Sequence, residues 1–217
     1  MEKPAREIHV GVKFATEFIS AAVPADSRLE ELKTWCAEFH RRNFAPPYGE
    51  FSQGNLSFRI RPGEDAFVIS GSQVGWKDGL TDDRFVTVQG CDMEKGVVFA
   101  SGTRDPSSES MLHFAIYRAR KDIQAVFHGH SPEILRCVDR PPDIPETREK
   151  HSYGSLELAQ SVIEVLGNTD FVIMKRHGFI SLGKTMEEAG RRAIEVHHRC
   201  LPKGEKRGCH EGFLQPL

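Results

Sequence analysis

Apolar side chains that recur every three or four residues predict four helices in this chain. The first helix is predicted to begin behind a Ser27 cap. Thr185, followed by Glu188 three residues later, predicts a capping box at the start of the last one. The four predicted helices occupy residues 27–43, 107–120, 155–166 and 185–200.

Short β-branched or aromatic runs and alternating apolar positions predict strands. They are predicted at residues 55–60, 67–69, 85–88, 97–99 and 125–130, and just before His177. Residues 132–150 are rich in proline and charge, which predicts a surface loop. Because strands cluster in the middle and alternate with helices later, we expect an α/β protein with a sheet covered by helices in three layers, α/β/α.

The composition is that of an ordinary globular protein. The chain has 217 residues, of which 39% are hydrophobic and 28% charged, with a formal net charge of −2. We expect a single domain over residues 1–217, with its core at about 27–200 and with 1–26 and 201–217 as terminal extensions. The balanced charge disfavours nucleic-acid binding, and no run of about 18 apolar residues could span a membrane.

The cysteines and the N-terminus favour a cytoplasmic location. The five cysteines are scattered, odd in number and without a Cys-x-x-Cys pair, which favours reduced thiols over a disulfide framework. The first residues lack the apolar segment of a secretory signal peptide. We therefore expect a cytoplasmic protein.

The segment His128-Gly129-His130 is the strongest indication of chemistry in the sequence. Residues two apart on a strand project from the same face, so this strand would present two imidazoles side by side. His177, at the end of another predicted strand, is the third candidate. Three imidazoles around one position form the ligand set of a catalytic zinc site. From the spacing alone, a metal site and a pair of hydrogen-bonded structural histidines both stay open.

Two short polar segments have residue types that bind anions. Pro106-Ser107-Ser108-Glu109 opens the second predicted helix, so the two serines and the free backbone N–H groups would form an anion-binding end, with Glu109 in the first turn. Gly54-Asn55 forms a turn before a strand, where the backbone can approach a ligand closely. Ordinary capping and an ordinary turn explain the same residues.

Together these segments resemble the class II aldolase/adducin family, from about residue 29 to about residue 200. The resemblance includes Gly-Asn-Leu-Ser at 54–57, Pro-Ser-Ser-Glu at 106–109, His-Gly-His-Ser at 128–131, Tyr-Gly-Ser at 153–155, and His177-Gly178 followed by Gly183-Lys184-Thr185. It implies a central, mainly antiparallel sheet. It also implies His128, His130 and His177 as ligands of Zn²⁺ or another divalent metal, and Glu109 as the acid/base. Gly54, Asn55, Ser107 and Ser108 would bind a substrate phosphate.

By this resemblance the chain would be a zinc-dependent aldehyde-lyase that acts on a small phosphorylated ketose. Retro-aldol cleavage would pass through a metal-stabilised enediolate, with Glu109 transferring the proton. Dehydration of a methylthioribulose-1-phosphate-like substrate and 4-epimerisation of a pentulose phosphate stay open, and so does a non-catalytic, adducin-like binding module. The resemblance also implies a homotetramer.

Other features fit less well. Residues 178–185 match the P-loop pattern, but their bulky alternating side chains favour a strand over a phosphate loop. Residues 203–217 contain no tyrosine that could donate a proton, which leaves His151 or Tyr153 as substitutes. Metal-ligand residue types also occur at irregular spacing near the C-terminus, at His197, His198, Cys200, Cys209 and His210.

Overall fold

The computed structural model describes residues 11–137, 141 and 143–201. The helices are α1 (Leu29–Arg41), α2 (Ser110–Ala119), α3 (Pro132–Leu135), α4 (Leu156–Leu166) and α5 (Met186–Cys200). The strands are β1 (Ala15–Ser20), β2 (Pro47–Tyr48), β3 (Phe51–Ser52), β4 (Asn55–Arg59), β5 (Phe67–Ser70), β6 (Phe85–Asp92), β7 (Val97–Ser101), β8 (Ala125–Gly129), β9 (Phe171–Met174) and β10 (Gly178–Gly183). Within the described ranges, no helix is both long enough and apolar enough to cross a bilayer.

Eight strands form one mainly antiparallel sheet, which confirms the expected class. Their order across the sheet is β1-β7-β6-β5-β4-β8-β10-β9. Only β1 and β7 run parallel, and every other neighbouring pair is antiparallel. Strand β8, which carries His128, therefore lies in the interior of the sheet, between β4 and β10.

Alternating side chains along the strands supply two apolar cores, one on each face of the sheet. In β9, Phe171 and Ile173 join the first core, whereas Val172 and Met174 join the second. Helices α1 and α5 cover the first core, and α2 and α4 cover the second. The sheet between two helical layers is the predicted three-layer arrangement.

The start of α1 departs from the sequence prediction. Ser27 does not cap the helix, whose N-cap position is Arg28. The Asp26 carboxylate instead accepts hydrogen bonds from the backbone N–H and the guanidinium of Arg28. A charged acceptor that binds both groups competes well with a serine hydroxyl for this turn. At α5 the Thr185 hydroxyl accepts from the N–H of Glu188, as predicted.

Besides the short strands β2 and β3, strand β1 and helix α3 lie where the sequence pattern predicts no element. Strand β1 pairs with β7, so the sheet begins inside the segment expected as an N-terminal extension. It is an edge strand with mostly exposed side chains, which explains why it lacks an apolar alternation. Helix α3 interrupts the predicted loop over residues 132–150 and is capped by Ser131, whose hydroxyl accepts from the N–H of Ile134. One turn of helix is too short to display a helical period.

A disulfide joins Cys137 and Cys200, so the expectation of reduced thiols throughout is wrong for this pair. Cys137 follows α3 and Cys200 ends α5, and the two helices are in contact. Their Cα atoms lie 5.0 Å apart. The two cysteines are 63 positions apart in the sequence, so no local sequence pattern could have predicted that they pair. Cys36 and Cys91 are free, and Cys209 lies outside the described residues.

The interior position of β8 gives a first prediction. Phe127 is fully buried and packs edge-on against Phe39, with ring centroids 5.5 Å apart. We expect Phe127→Ala to lower the free energy of unfolding by about 3–5 kcal/mol, because it leaves a cavity in the first core. Denaturant titration measures this, with Phe18→Ala, whose residue is 48% exposed, as the control. Similar small losses in both variants would contradict the packing described here.

Candidate active site and metal centre

The three predicted histidines converge at one end of the sheet. His128 lies in β8 and His130 directly follows this strand, and their ring centroids are 4.7 Å apart. His177 lies in the turn between β9 and β10, with its ring 5.2 Å from each of the other two. Their candidate ligand nitrogens all lie within 4.8 Å of one another. Among the described residues, this is the one cluster of such side chains that could hold a metal ion.

Two glycines allow three chain segments to meet at this end of the sheet. Gly54 has a φ of +72°, and a Cβ on it would lie 2.9 Å from the carbonyl oxygen of His128. A Cβ on Gly178 would lie 2.4 Å from the carbonyl oxygen of Gly129 and 2.8 Å from Cε1 of His128. Any larger side chain at either position would push its segment away from β8 and separate the groups of the site.

His128 presents an unprotonated nitrogen to the cluster. Its Nδ1–H donates to the carbonyl oxygen of Phe179 at 2.9 Å, which leaves Nε2 of the neutral ring with a lone pair. Nε2 lies 3.0 Å from Nε2 of His130 and 3.0 Å from Oε2 of Glu109. A lone pair and a carboxylate oxygen repel each other at this distance unless a proton or a cation lies between them.

Burial favours the neutral form of the His128 and His130 imidazoles. It lowers the pKa of His128, although the Glu109 carboxylate acts in the opposite direction. Burial also holds the pKa of His130 well below its usual range, and His128 and His177 lower it further. Neutral imidazole is the form that binds a metal ion, so the environment prepares these rings as ligands.

Glu109 lies beside the histidines at the start of α2. It is the N-cap residue of this helix, one position before the first turn in which the sequence placed it, and it is 3% exposed. Its Oε2 accepts a hydrogen bond of 2.9 Å from Nδ2 of Asn55, and its Oε1 lies 3.1 Å from Nε2 of His177. Burial raises the pKa of Glu109, but His128, His177 and Asn55 together outweigh it and hold the pKa well below its usual range. The effect of the two histidines requires positive charge beside Glu109, which protonated rings or a cation bound by neutral rings would supply, and with either one the side chain is a carboxylate.

The donor set fits a divalent cation. Oε1 of Glu109 has a nitrogen of His177 nearby but no hydrogen bond of good geometry, and Oδ1 of Asn55 is also buried without a hydrogen-bond partner. Buried acceptors without donors are unfavourable in a protein interior. Three imidazole nitrogens beside a carboxylate are residue types that zinc prefers. A cation bound among the histidines would also satisfy the nearby carboxylate of Glu109.

The residues predicted to bind an anion line a cavity that also reaches the histidines. Ser107 and Ser108 lie in the turn before α2, which begins at Ser110, and they are 5% and 8% exposed. Gly54 and Asn55 lie at the start of β4, where Asn55 is paired in register with His128. The cavity encloses about 280 Å³, which is room for a small molecule. All eight predicted site residues thus lie in one region, although His128 is buried behind the others.

Sequence reasoning missed three cationic side chains in the cavity wall. Lys77, Lys150 and Arg176 line it, and Glu109 is the one acidic side chain among its described lining residues. Arg176 has a φ of +56°, a left-handed conformation that is uncommon for a residue with a Cβ. Its position directly before His177 was the available signal, whereas nothing in the sequence around Lys77 marks it.

The two substitute proton donors differ in position. Tyr153 lines the cavity and is 9% exposed, whereas His151 is not among the described lining residues. Residues 203–217, which contain no tyrosine, lie outside the described part of the chain.

The P-loop-like segment and the C-terminal group of metal-ligand residue types have different positions in the structure. Residues 178–183 of the P-loop-like segment form strand β10, as predicted. Of the C-terminal metal-ligand types, His197 and His198 lie on α5 and Cys200 is in the disulfide. The remaining two, Cys209 and His210, lie outside the described residues.

A buried hydrogen-bond network, also missed from sequence, fixes α2 against β4 next to the site. The Ser57 hydroxyl lies 2.7 Å from Nδ1 of His113 and 2.8 Å from the hydroxyl oxygen of Tyr117. Burial lowers the pKa of His113 to about 3, so this ring is neutral. Ser57 is two residues after Asn55 and His113 is four residues after Glu109. The network therefore helps to hold Glu109 at its distance from Asn55.

Most of this chain matches a known family. Residues 30–201 match the family described as Class II Aldolase and Adducin N-terminal domain. The chain belongs to this family. The matched segment contains every predicted site residue, and it confirms the resemblance derived from the sequence motifs.

Several relatives of this chain have named activities. An L-fuculose phosphate aldolase of Methanocaldococcus jannaschii is 28% identical over 69% of this chain and 82% of its own length. A 5-methylthioribulose-1-phosphate/5-deoxyribulose-1-phosphate aldolase of Rhodospirillum rubrum is 29% identical over 48% of this chain, and the match spans only 56% of that protein. A methylthioribulose-1-phosphate dehydratase of Leptospira interrogans is 28% identical over 76% of this chain and 77% of its own length.

The fold also resembles that of a solved L-fuculose 1-phosphate aldolase. The TM-score is 0.67 at 21% sequence identity, with 82% of this chain and 85% of that one covered. At this identity the likeness supports the fold alone.

Metal analysis tests the histidine cluster. We expect the purified chain to hold about one divalent metal ion, and His128→Ala and His177→Ala to lose it, because each removes one of three ligands. Elemental analysis by mass spectrometry measures the content. His151→Ala is the matched control, since this histidine is outside the cluster. Unchanged metal in His128→Ala, or none in the unaltered protein, would refute the site.

Proposed function

We propose that this protein is a zinc-dependent lyase that cleaves a small phosphorylated ketose by retro-aldol chemistry. The observation that carries the proposal is the approach of the Glu109 carboxylate to within 3.0 Å of His128 and 3.1 Å of His177, inside a cavity that Ser107 and Ser108 also line. Such a cavity offers ligands for a cation, a carboxylate for proton transfer and hydroxyl groups for an anion.

The three histidines would hold the zinc ion. A divalent ion bound there supplies a Lewis acid that polarises a carbonyl group. Ser107, Ser108 and Asn55 would bind the substrate phosphate and so orient the bond that breaks. Gly54 lets the backbone approach this anion, because no Cβ intervenes.

Glu109 would move the proton. As an ionised carboxylate it can accept the proton of the hydroxyl group on the β-carbon while the bond between the α- and β-carbons breaks. The β-carbon leaves as an aldehyde, and the proton returned by Glu109 to the α-carbon gives the shorter ketose phosphate. One group thus serves as base and then as acid, and the atoms balance without a further reactant.

Dehydration is the second candidate, because the match to the named dehydratase covers 76% of this chain. In that reaction the proton leaves the α-carbon and the hydroxyl group leaves the β-carbon, so Glu109 would act as base on a different atom. A non-catalytic, adducin-like role is disfavoured, since a purely structural site has no need for an ionised carboxylate among buried histidines.

The assembly is proposed from the family resemblance rather than from a contact in the fold. We expect a homotetramer with sites near subunit boundaries, which light scattering would detect at four chain masses. A cytoplasmic location remains a prediction, and the Cys137–Cys200 disulfide removes part of its original support.

The role of Glu109 has a direct test. We expect Glu109→Gln to lower turnover by about 10²–10⁴-fold while largely sparing the metal content, because the amide cannot accept the proton but keeps the shape of the side chain. Steady-state kinetics and metal analysis are measured on the same preparations. Glu94→Gln, at an exposed position, is the control. Equal loss of metal and activity would make Glu109 chiefly a ligand.

A substrate panel separates the two candidate reactions. We expect zinc-loaded protein to release an aldehyde from one or more phosphorylated ketoses, detected by a coupled reductase, and to lose this activity with a chelator. Loss of water with an intact carbon chain, seen by mass spectrometry of the product, would favour the dehydratase. No product from any member of the panel would contradict both.

A further inference from the structure

Lys77 is a buried cation in the wall of the cavity, and the reaction proposed above gives it no role. It lies between β5 and β6 and is 2% exposed. Its Nζ donates a hydrogen bond of 2.7 Å to the carbonyl oxygen of Gly54. The ammonium is therefore hydrogen-bonded to the turn that is expected to approach the substrate anion.

This ammonium has no counter-charge within the described part of the chain. No carboxylate there forms an ion pair with it, and the side chain of its neighbour Asp78 is exposed. Cys36 lies close enough to influence it, but burial raises the pKa of that thiol to about 11, so the thiol is neutral. A buried charge without a partner is strongly unfavourable, so burial lowers the pKa of Lys77, and an anion bound in the cavity would oppose this effect and favour the ammonium.

The hydrogen-bonding capacity of Lys77 is also only partly used. An ammonium group has three donors. Gly54 accepts one of them, and no other acceptor for this group occurs among the described residues. A ligand in the cavity that offers negatively charged oxygen atoms would satisfy both the charge and the donors.

The groups already expected to bind the anion lack a charge of their own. Ser107, Ser108 and Asn55 offer neutral donors, which alone compensate poorly for moving a doubly charged phosphate out of water. Lys150 and Arg176 are exposed to solvent, so their charges are screened. Lys77 is the one buried cation among the described lining residues.

We propose that Lys77 is a further anion-binding residue of this site, whose ammonium neutralises the group held by Gly54, Asn55, Ser107 and Ser108. The identity of that group as a phosphate monoester rests on the proposed function. Lysine suits the role, because its ammonium acts as a compact point charge toward phosphate oxygen atoms.

Inorganic phosphate is the probe for this inference. Lys77→Gln keeps a polar side chain with hydrogen-bond donors but removes the charge. We expect it to weaken phosphate binding to the metal-free full chain by about tenfold or more, as measured by isothermal titration calorimetry. Lys95→Gln removes an equal charge from a side chain that is 79% exposed, and its phosphate affinity should match that of the unaltered protein.

If Lys77 has only a structural role, a different result is expected. Lys77→Gln would then be less stable without a change in its affinity for phosphate, and that result overturns the inference. So does an unaltered protein that shows no phosphate binding. If Lys77→Gln does not fold, a crystal structure of the unaltered protein grown with phosphate tests the inference instead. A phosphate within hydrogen-bond distance of Nζ supports the proposal, and one bound elsewhere overturns it.

The two proposals can fail separately. Phosphate binding is measured without metal and without turnover, so a chain that binds phosphate through Lys77 but cleaves no ketose refutes only the lyase. In an active enzyme we expect Lys77→Gln to raise KM for the phosphorylated substrate while kcat changes little. An unchanged KM refutes only the role of Lys77.

Discussion

The site depends on one electrostatic constraint, the convergence of buried acceptor atoms without a proton donor between them. The Nδ1–H group of His128 donates a hydrogen bond to the carbonyl oxygen of Phe179, so Nε2 of this neutral ring can only accept a hydrogen bond. That nitrogen faces a carboxylate oxygen of Glu109 at 3.0 Å, in a region away from water. The arrangement becomes favourable when a cation or a shared proton joins these atoms. Because such acceptors are unfavourable without a positive charge between them, the cluster has affinity for a divalent ion.

The sheet imposes this convergence through its register. In β8, Val126 belongs to the second core and Phe127 to the first, so His128 faces the side covered by α2, where Glu109 lies. A slip of one residue would turn His128 toward the opposite face and expose both cores to mismatched side chains. Pairing with β4 then sets Asn55 opposite His128, so the position of the amide that holds Glu109 follows from the same apolar pattern.

The parts of the site that follow from local pattern could be predicted, and the parts that depend on distant segments could not. His128, His130 and Glu109 lie on elements whose period or caps are visible in the sequence. Lys77 belongs to an irregular segment between strands, and only the folded chain brings its ammonium to the Gly54 carbonyl. The Cys137–Cys200 disulfide likewise depends on the packing of α3 against α5. The start of α1 was missed for another reason, since Asp26 and Ser27 were both suitable caps and the guanidinium of Arg28 decided between them.

The histidine cluster and Glu109 alone do not determine which reaction takes place. An aldolase and a dehydratase match this chain at the same identity, 28%, so overall similarity does not choose either. Cleavage and dehydration differ in which atom of the substrate faces Glu109, and that depends on how the cavity wall orients the rest of the molecule. Arg176 lines that wall directly before His177 in the sequence, and its left-handed backbone costs about 1 kcal/mol or more. The orientation of the substrate, and with it the reaction, therefore depends on side chains of the cavity wall as well as on the histidine cluster and Glu109.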